Sequence, residues 1–284
     1  MPQKKIAIAI PASVVSDTPH LREKTSKIGL IGRAAAIFRV IQIIVYPDDP
    51  KAKQESEARL IGTLLAYMET PQYLRKRLFK LEPELQYAGI LPPLRTLHHP
   101  LNRKAGGLKI GEFREAATLS KTDEGTLVDI GVEQPALLRN LQLPKGKRIT
   151  VTVAKVNGRV EVKPANREDI QQYWGYTVNV EDWTLGKLLK NGDFELTIAT
   201  SKYGVPFTDA TEEVAQKWKE AKTILIAFGA PARGLYEIAK DEGFSLDDVA
   251  HFVVNTIPNQ GTETVRTEEA IVATLAIFNA QFRF

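Results

Sequence analysis

Three stretches in the last third of the chain combine residue types that can hold a small molecule. The first is the loop Asn255 to Arg266 (NTIPNQGTETVR), with Pro258, Gln260 and Gly261, lying between an apolar run, Phe252 to Val254, and a long amphipathic segment. A loop of this length needs partners for its backbone, and a ligand is the expected one. The second is Gly229-Ala230-Pro231-Ala232-Arg233-Gly234, which ends the continuous apolar run Thr223 to Phe228. Glycine there lets backbone approach a ligand closely, and proline stiffens the turn. The third is Thr200-Ser201-Lys202-Tyr203-Gly204, after the run Phe194 to Ala199. Ligands in open α/β sheets sit outside the carboxyl ends of the strands, so the three junctions read as one site. Taken singly, each is also what any α/β protein shows at a strand-to-helix turn, and the 255–266 loop alone is also readable as a surface excursion.

The elements around these loops follow from patterning. Thr267 is placed as a helix N-cap, with Glu268 and Glu269 in the first turn beside the positive end of the helix dipole. Ile271, Leu275, Phe278 and Phe282 then recur at the spacing of one buried helical face. Thr223 to Phe228 has the continuous apolar character of a strand buried on both sides, and Leu235 to Lys240 begins a helix. At the other end of the chain, Ile6 to Ile10 reads as a strand and Ile28 to Phe38 as a helix. Ile41 to Tyr46 reads as a second strand and Gln54 to Met68 as a second helix, an order that predicts a parallel sheet. From about Arg95 to Pro164 helical texture gives way to short β-like runs, Glu112 to Leu119, Thr126 to Ile130, Arg148 to Val156 and Arg159 to Lys163. Asn157-Gly158 is a two-residue hairpin signal. These runs predict a small barrel inserted in one α/β domain, with residues 1–94 and 165–284 forming the α/β part and 95–164 the insertion. After it, helices over Glu168 to Tyr173 and Leu185 to Leu189 are expected to flank a strand around Tyr176 to Val180.

Composition removes most standard chemistries. The chain of 284 residues can bury a full core, and no apolar run reaches membrane-spanning length. The IAIAIP run after Lys4-Lys5 reads as a first strand rather than a secretory leader, and the cytoplasm is the expected compartment. With no cysteine, disulfides and thiolate metal sites are excluded, and the four histidines are too scattered to form a metal site. No HExxH and no GxxxxGK[ST] occurs, and the first strand runs into Pro11-Ala12-Ser13 rather than the GxGxxG of a nicotinamide enzyme. Charge is informative once divided: residues 95–167 hold 14 Lys and Arg against 7 Asp and Glu, a net of +7, while the whole chain is +4. A concentrated positive region is the footprint of a polyanion, most often nucleic acid, although a solvated basic face looks the same in sequence. Phe113 is the only aromatic residue of the predicted barrel, so phosphate and shape contacts are expected there rather than base stacking. Tyr173, Trp174 and Tyr176, just beyond it, read as hinge or core packing.

GAPARGL followed by NTIPNQGTETVRTEEAI resembles the paired signature of the SPOUT superfamily of RNA methyltransferases, in the archaeal and eukaryotic branch that carries an inserted OB-like domain. IAIAIPASVVSDTPHLREKTSKIGLIGRAAAIFRV and LTIATSKYG fit the same branch, so the resemblance covers nearly the whole chain. It implies a trefoil-knotted parallel-sheet domain, a homodimer, and S-adenosylmethionine bound among the knot loops. Knots are otherwise essentially absent from proteins, so periodicity and spacing carry no sign of one.

By the same resemblance, Gly229, Gly234, Asn255, Ile257, Gln260 and Gly261 would cradle the cofactor with backbone groups. Thr200 and Ser201 would line the pocket and Val265 would pack near the adenine. Many relatives bring an arginine from the N-terminal helix of one subunit to the methyl donor of the other, and Arg33 matches that position. Its other reading is a helix-surface arginine. Arg22, Lys24 and Lys27 form a basic cluster suited to phosphate, while Arg266 would bind RNA or pair with Glu268 or Glu269. A nucleobase nitrogen or ribose hydroxyl must lose a proton on methylation, so a base or a stabilising cation is expected. No base is evident, Glu263 being the nearest carboxylate in the loop. The expected activity is therefore methylation of ribosomal RNA on a base, with uridine N3 as the implied position. The alternative is a non-catalytic RNA-binding or ribosome-assembly factor that retains the fold.

Overall fold

The computed structural model describes residues 4–282 and 284, and the chain divides into two compact units. The first comprises the chain up to Ala66, Glu84–Pro92 and Tyr176–Phe284. The second comprises Tyr67–Pro83 and Pro93–Gly175.

The first unit is built on a six-stranded sheet. Its N-terminal part supplies β1 (Lys5–Pro11), α1 (Leu21–Ile37), β2 (Gln42–Tyr46) and most of α2 (Glu55–Glu69). Six later elements, α3 (Gln72–Leu78) and the barrel strands β3 (Phe113–Thr122), β4 (Gly125–Asp129), β5 (Ala136–Arg139), β6 (Arg148–Lys155) and β7 (Glu161–Pro164), belong to the second unit. The chain then returns with β8 (Thr177–Val180), α4 (Leu185–Asn191), β9 (Leu196–Pro206), α5 (Phe207–Glu220), β10 (Thr223–Ala227), α6 (Leu235–Asp241), α7 (Leu246–Val249), β11 (Phe252–Asn255) and α8 (Thr267–Phe282).

The sheet order is β11-β9-β10-β1-β2-β8, and every neighbouring pair is parallel. Strand β1 is central, pairing Lys5 with Thr223 on one side and Ala7 with Gln42 on the other, which is why KIAIAIP is apolar on both faces. On one face Ala7, Ala9, Ile44, Tyr46, Leu225 and Ala227 pack with Leu188, Leu235, Ile238 and Leu246 of the short helices. Strand alternation puts the fully buried Ile6, Ile8 and Ile10 on the other. Helix α8 buries Ile271, Leu275 and Phe278 completely, and its last turn stacks Phe282 on Trp218 of α5 at 4.7 Å. No helix among the described residues is long and apolar enough to cross a membrane.

The second unit holds a closed barrel in the order β3-β4-β5-β7-β6, antiparallel except for the β5–β7 pair. Its core is small and aliphatic, with Ala116, Val128, Ile130, Leu138, Val151, Val153 and Val162. Beside it lies a buried charge cluster. Arg148 bonds Glu115 through Nε and Glu69 through Nη1, both at 2.6 Å, and Trp174 Nε1 donates to Glu115 at 2.7 Å. Trp174 is thus a packing residue with a polar handle. Burial pushes the Glu69 carboxyl up, but the His98 hydrogen bond and the Arg148 charge outweigh it and hold it at about 2. Arg114, Arg148 and Arg167 all pair with carboxylates here, so part of the basic excess is internal. Exposed Lys104, Lys109, Lys121, Lys145, Lys147 and Lys163 remain on its surface.

Three local expectations are corrected. Helix α1 starts at Leu21, seven residues before the apolar periodicity, because its first turns are fixed by buried polar groups: Thr25 donates to the Leu21 carbonyl and Lys27 is buried in an ion pair. Residues 168–173 form no α-helix, only a 3-10 turn over Arg167–Asp169. The β6–β7 connection is a longer loop, residues 156–160, with Gly158 at φ +75°. Compactness also carries the second unit beyond the 95–164 stretch, because α3 packs on the barrel, its Tyr73 hydroxyl donating to the Glu115 carbonyl.

Candidate active site

The three loops meet at the carboxyl ends of β9, β10 and β11. After β10 the chain turns sharply: Ala230 N–H bonds the Arg233 carbonyl, and Gly234 becomes the first cap of α6, donating its N–H to the Glu237 carboxylate at 2.8 Å. Gly229 is required by this turn, since a Cβ there would lie 3.1 Å from Gly234 Cα and Leu235 N. The 200–204 segment is an excursion inside β9 rather than a loop beyond it. Val253 of β11 pairs with Ala199 and Val254 with Val205, so the five residues between leave the ladder. Gly204 anchors the return, because a Cβ on it would come within 2.8 Å of the Val253 carbonyl.

The 255–266 loop is held by its own side chains. Asn255 donates to the Lys202 carbonyl and accepts from Ile257 N–H, and Gln260 donates to the Thr262 and Glu263 carbonyls. Thr267 does not cap α8. Arg266 occupies that place, with its N–H held by the Glu269 carboxylate and its carbonyl bonded to Ala270 N–H. The Thr267 hydroxyl instead donates to the Gly229 carbonyl at 3.0 Å, tying the last helix to the β10 turn.

Together these segments line a half-open cleft of about 240 Å³. Of the residues expected to hold a cofactor, Thr200, Ser201, Gly229, Gly234, Asn255, Ile257, Gln260 and Val265 line it. Gly261 follows Gln260 but is not part of the wall. Lys202, Tyr203 and Arg233 of the same stretches also line it, together with Tyr236 and Thr267, which the sequence had not marked for this cleft. Backbone turns, hydroxyl side chains such as Thr200 and Ser201 and apolar Ile257, Val265 and Ala270 fit a ligand with an adenine ring and a polar tail. Glu263 is not on the wall, and Glu237 is engaged with Gly234. No group of three or more His, Asp and Glu among the described residues is placed to hold a metal ion.

Behind the cleft a buried carboxylate links three strand ends. Asp48, wholly buried after β2, accepts from Ser13 N–H and Ser13 hydroxyl at 3.0 and 2.6 Å, from Gln54 at 2.9 Å and from Arg233 at 3.1 Å. Arg233 also reaches the Asp48 carbonyl and Asp241. Nearby, the buried Tyr46 hydroxyl donates to the Phe228 carbonyl, and burial together with the Asp48 charge pushes its ionisation well up.

The expected RNA-contacting residues separate. Arg22 is exposed and Lys24 half-buried, but Lys27 is not on their surface: it is 6% exposed and bonded to Asp17 at 2.7 Å, with Glu268 at 3.4 Å. A buried, paired ammonium holds α1 to the first turn of α8 and is not presented to a phosphate. Glu268 being taken by Lys27 and Glu269 by a backbone N–H, the exposed Arg266 guanidinium has no ion pair among the described residues. Arg33 is half-buried on α1 and does not line the cleft of its own chain.

The chain thus combines a parallel sheet, a loop-built cleft at its carboxyl edge and a small barrel, and residues 5–278 match the family described as "Putative RNA methyltransferase". The chain belongs to that family, and its methyl donor is S-adenosylmethionine. Among its relatives, an uncharacterised protein of Halobacterium salinarum is 34% identical over 95% of this chain and 96% of its own length. The human and mouse 28S rRNA (uridine-N(3))-methyltransferases are each 30% identical over 95% of this chain, covering 77% and 75% of their own lengths.

Proposed function

We propose that this protein methylates N3 of a uridine in ribosomal RNA, with S-adenosylmethionine held in the cleft between the β9, β10 and β11 loops. The observation that carries the placement is that these loops, far apart in sequence, close on one cleft locked by the Thr267–Gly229 bond. The substrate follows the human and mouse relatives, whose similarity extends over nearly all of this chain. A C-terminal trefoil knot is supported by the resemblance of the 229–234 and 255–266 loops to the paired SPOUT signature. The barrel order, with its single parallel pair, fits an OB-like module that meets RNA through its exposed lysines. A homodimer is supported by Leu30 and Ile37, 51% and 56% exposed, which share one face of α1 with Arg33. Burying that face against a second copy would carry Arg33 to the partner's cleft.

S-adenosylmethionine supplies a methyl group that is already activated. The chain's contribution is position: the Gly229 turn and the Asn255 turn fix the cradle, and the apolar wall at Ile257 and Val265 keeps water from the adenine end. Arg33 of the partner subunit would stabilise the uridine anion left when N3 loses its proton to solvent.

Calorimetric titration with S-adenosylmethionine tests the site. Wild type should bind one molecule per subunit. Gly234→Arg should weaken this more than tenfold at unchanged melting temperature, because a Cβ at 234 meets nothing within 4 Å and the longer side chain fills the cleft. Equal affinity in the variant would place the cofactor elsewhere.

A further inference from the structure

Lys202 and Tyr203 belong to the cofactor cleft by position, yet their side chains are turned outward. Tyr203 is 72% exposed, unusual for a large aromatic ring on the wall of a cleft. The Lys202 ammonium lies 5.1 Å from the centre of that ring, in cation–π range. Among the described residues Lys202 has no carboxylate partner, so its charge is uncompensated at the cleft mouth. The backbone beneath the pair is rigidly held. Asn255 grips the Lys202 carbonyl at 3.0 Å, Tyr203 N–H bonds the Ser201 hydroxyl, and Gly204 is packed against β11. A five-residue excursion fixed at both ends that exposes an aromatic ring and a cation is a presented surface rather than a loose turn.

We propose that Tyr203 and Lys202 form a nucleotide clamp at the mouth of the cleft. One face of the Tyr203 ring is backed by the ammonium, and the other is open to stack a pyrimidine base of single-stranded RNA. Lys202, on its flexible stem, meets the adjoining phosphate. The clamp supplies stacking, which the barrel lacks, and brings a flipped-out base beside the cofactor. This inference rests on the proposed cofactor site, because only then does the mouth of the cleft face the methyl group.

The test uses fluorescein-labelled hexauridylate, with the full chain saturated by S-adenosylhomocysteine, followed by fluorescence anisotropy. Tyr203→Ala should weaken RNA binding about tenfold, within the range set by stacking of one base. Tyr203→Phe should stay within about twofold of wild type, since the ring rather than the hydroxyl acts. Lys202→Met should lower the slope of log affinity against log salt by about one. Cofactor titration of each variant runs in parallel, and RNA affinity is compared at saturating S-adenosylhomocysteine. A 4-thiouridine oligomer should cross-link to the 200–204 segment on irradiation. Full RNA affinity in Tyr203→Ala with normal cofactor binding, or cross-links confined to the barrel, would overturn the clamp. So would loss of cofactor affinity or of dimer in that variant, which would make Tyr203 a cradle or subunit contact. Failure of wild type to bind S-adenosylhomocysteine would instead strike the cofactor site on which the clamp depends.

Discussion

At the residue scale, one carboxylate does more for the cleft than any residue on its wall. Asp48 gathers Ser13, Gln54 and Arg233, so the ends of β1 and β2 and the β10 turn share a single buried anchor. Removing one partner of a buried pair leaves the other uncompensated, at a cost of about 3–5 kcal/mol. Asp48→Ala should therefore lower urea stability by about that much and also weaken the cofactor, as the 229–234 turn loses its strut. Asp48→Asn, which keeps one acceptor oxygen for the Ser13 N–H and Gln54 but offers Arg233 no charge, should recover part of the stability; unfolding curves and cofactor titration on both variants check this. Nothing in the sequence marked the residue. Tyr46-Pro47-Asp48-Asp49-Pro50 reads as an ordinary turn, and an aspartate buried by groups far away in the chain has no local signature. The motif loops were legible because glycine and proline carry backbone geometry in their identity. Lys27 was misread for the complementary reason: its charge is visible in sequence, but the Asp17 and Glu268 that bury it are not adjacent to it.

At the element scale, strands of the central sheet were legible because burial on both faces leaves a continuous apolar run. Strand β5 was missed, since Ala136–Arg139 has only four residues and no alternation. Helix α3 was missed because six of its seven residues leave only Leu74 buried. Both gain their place from the barrel, beside which the buried charge cluster also lies. Arg148→Met should destabilise the barrel unit by about 3 kcal/mol, because the buried Glu69 and Glu115 would share one arginine, Arg167, at 3.3 and 3.4 Å, once their closer partner is gone. The cluster also fixes a pH response. Burial, with the neighbouring His98, lowers His99 from 6.5 to about 4, so the folded state favours the neutral ring. That contribution is complete above about pH 6.5 and is lost as pH falls towards 4. Glu69, held at about 2 against an ordinary 4.5, adds stability above pH 4.5 that is lost as pH falls towards 2. Barrel stability should therefore decline in two successive acid windows, and Arg148→Met should move the second upward; circular dichroism during acid titration reads both.

At the scale of the whole molecule, the proposed homodimer brings Arg33 to a partner's cleft. Arg33→Ala and Gly234→Arg should each be inactive alone, one lacking the arginine and the other the cofactor. Mixed and allowed to exchange subunits, they should regain methylation of ribosomal RNA, because one cleft in each heterodimer has both parts. No recovery, with exchange verified by mass, would confine Arg33 to its own subunit. The pairing of Lys5 with Thr223 has a different consequence, for how the protein is made. As the nascent chain leaves the ribosome, the barrel segments can close on near neighbours, but the central strand of the other unit must wait for one more than two hundred residues behind it. Until β10 has emerged, Ile6, Ile8 and Ile10 have one bare edge, a template for wrong pairing. A ribosome that stalls before Thr223 therefore leaves a well-formed barrel attached to a sticky strand, and such fragments are natural clients for chaperones.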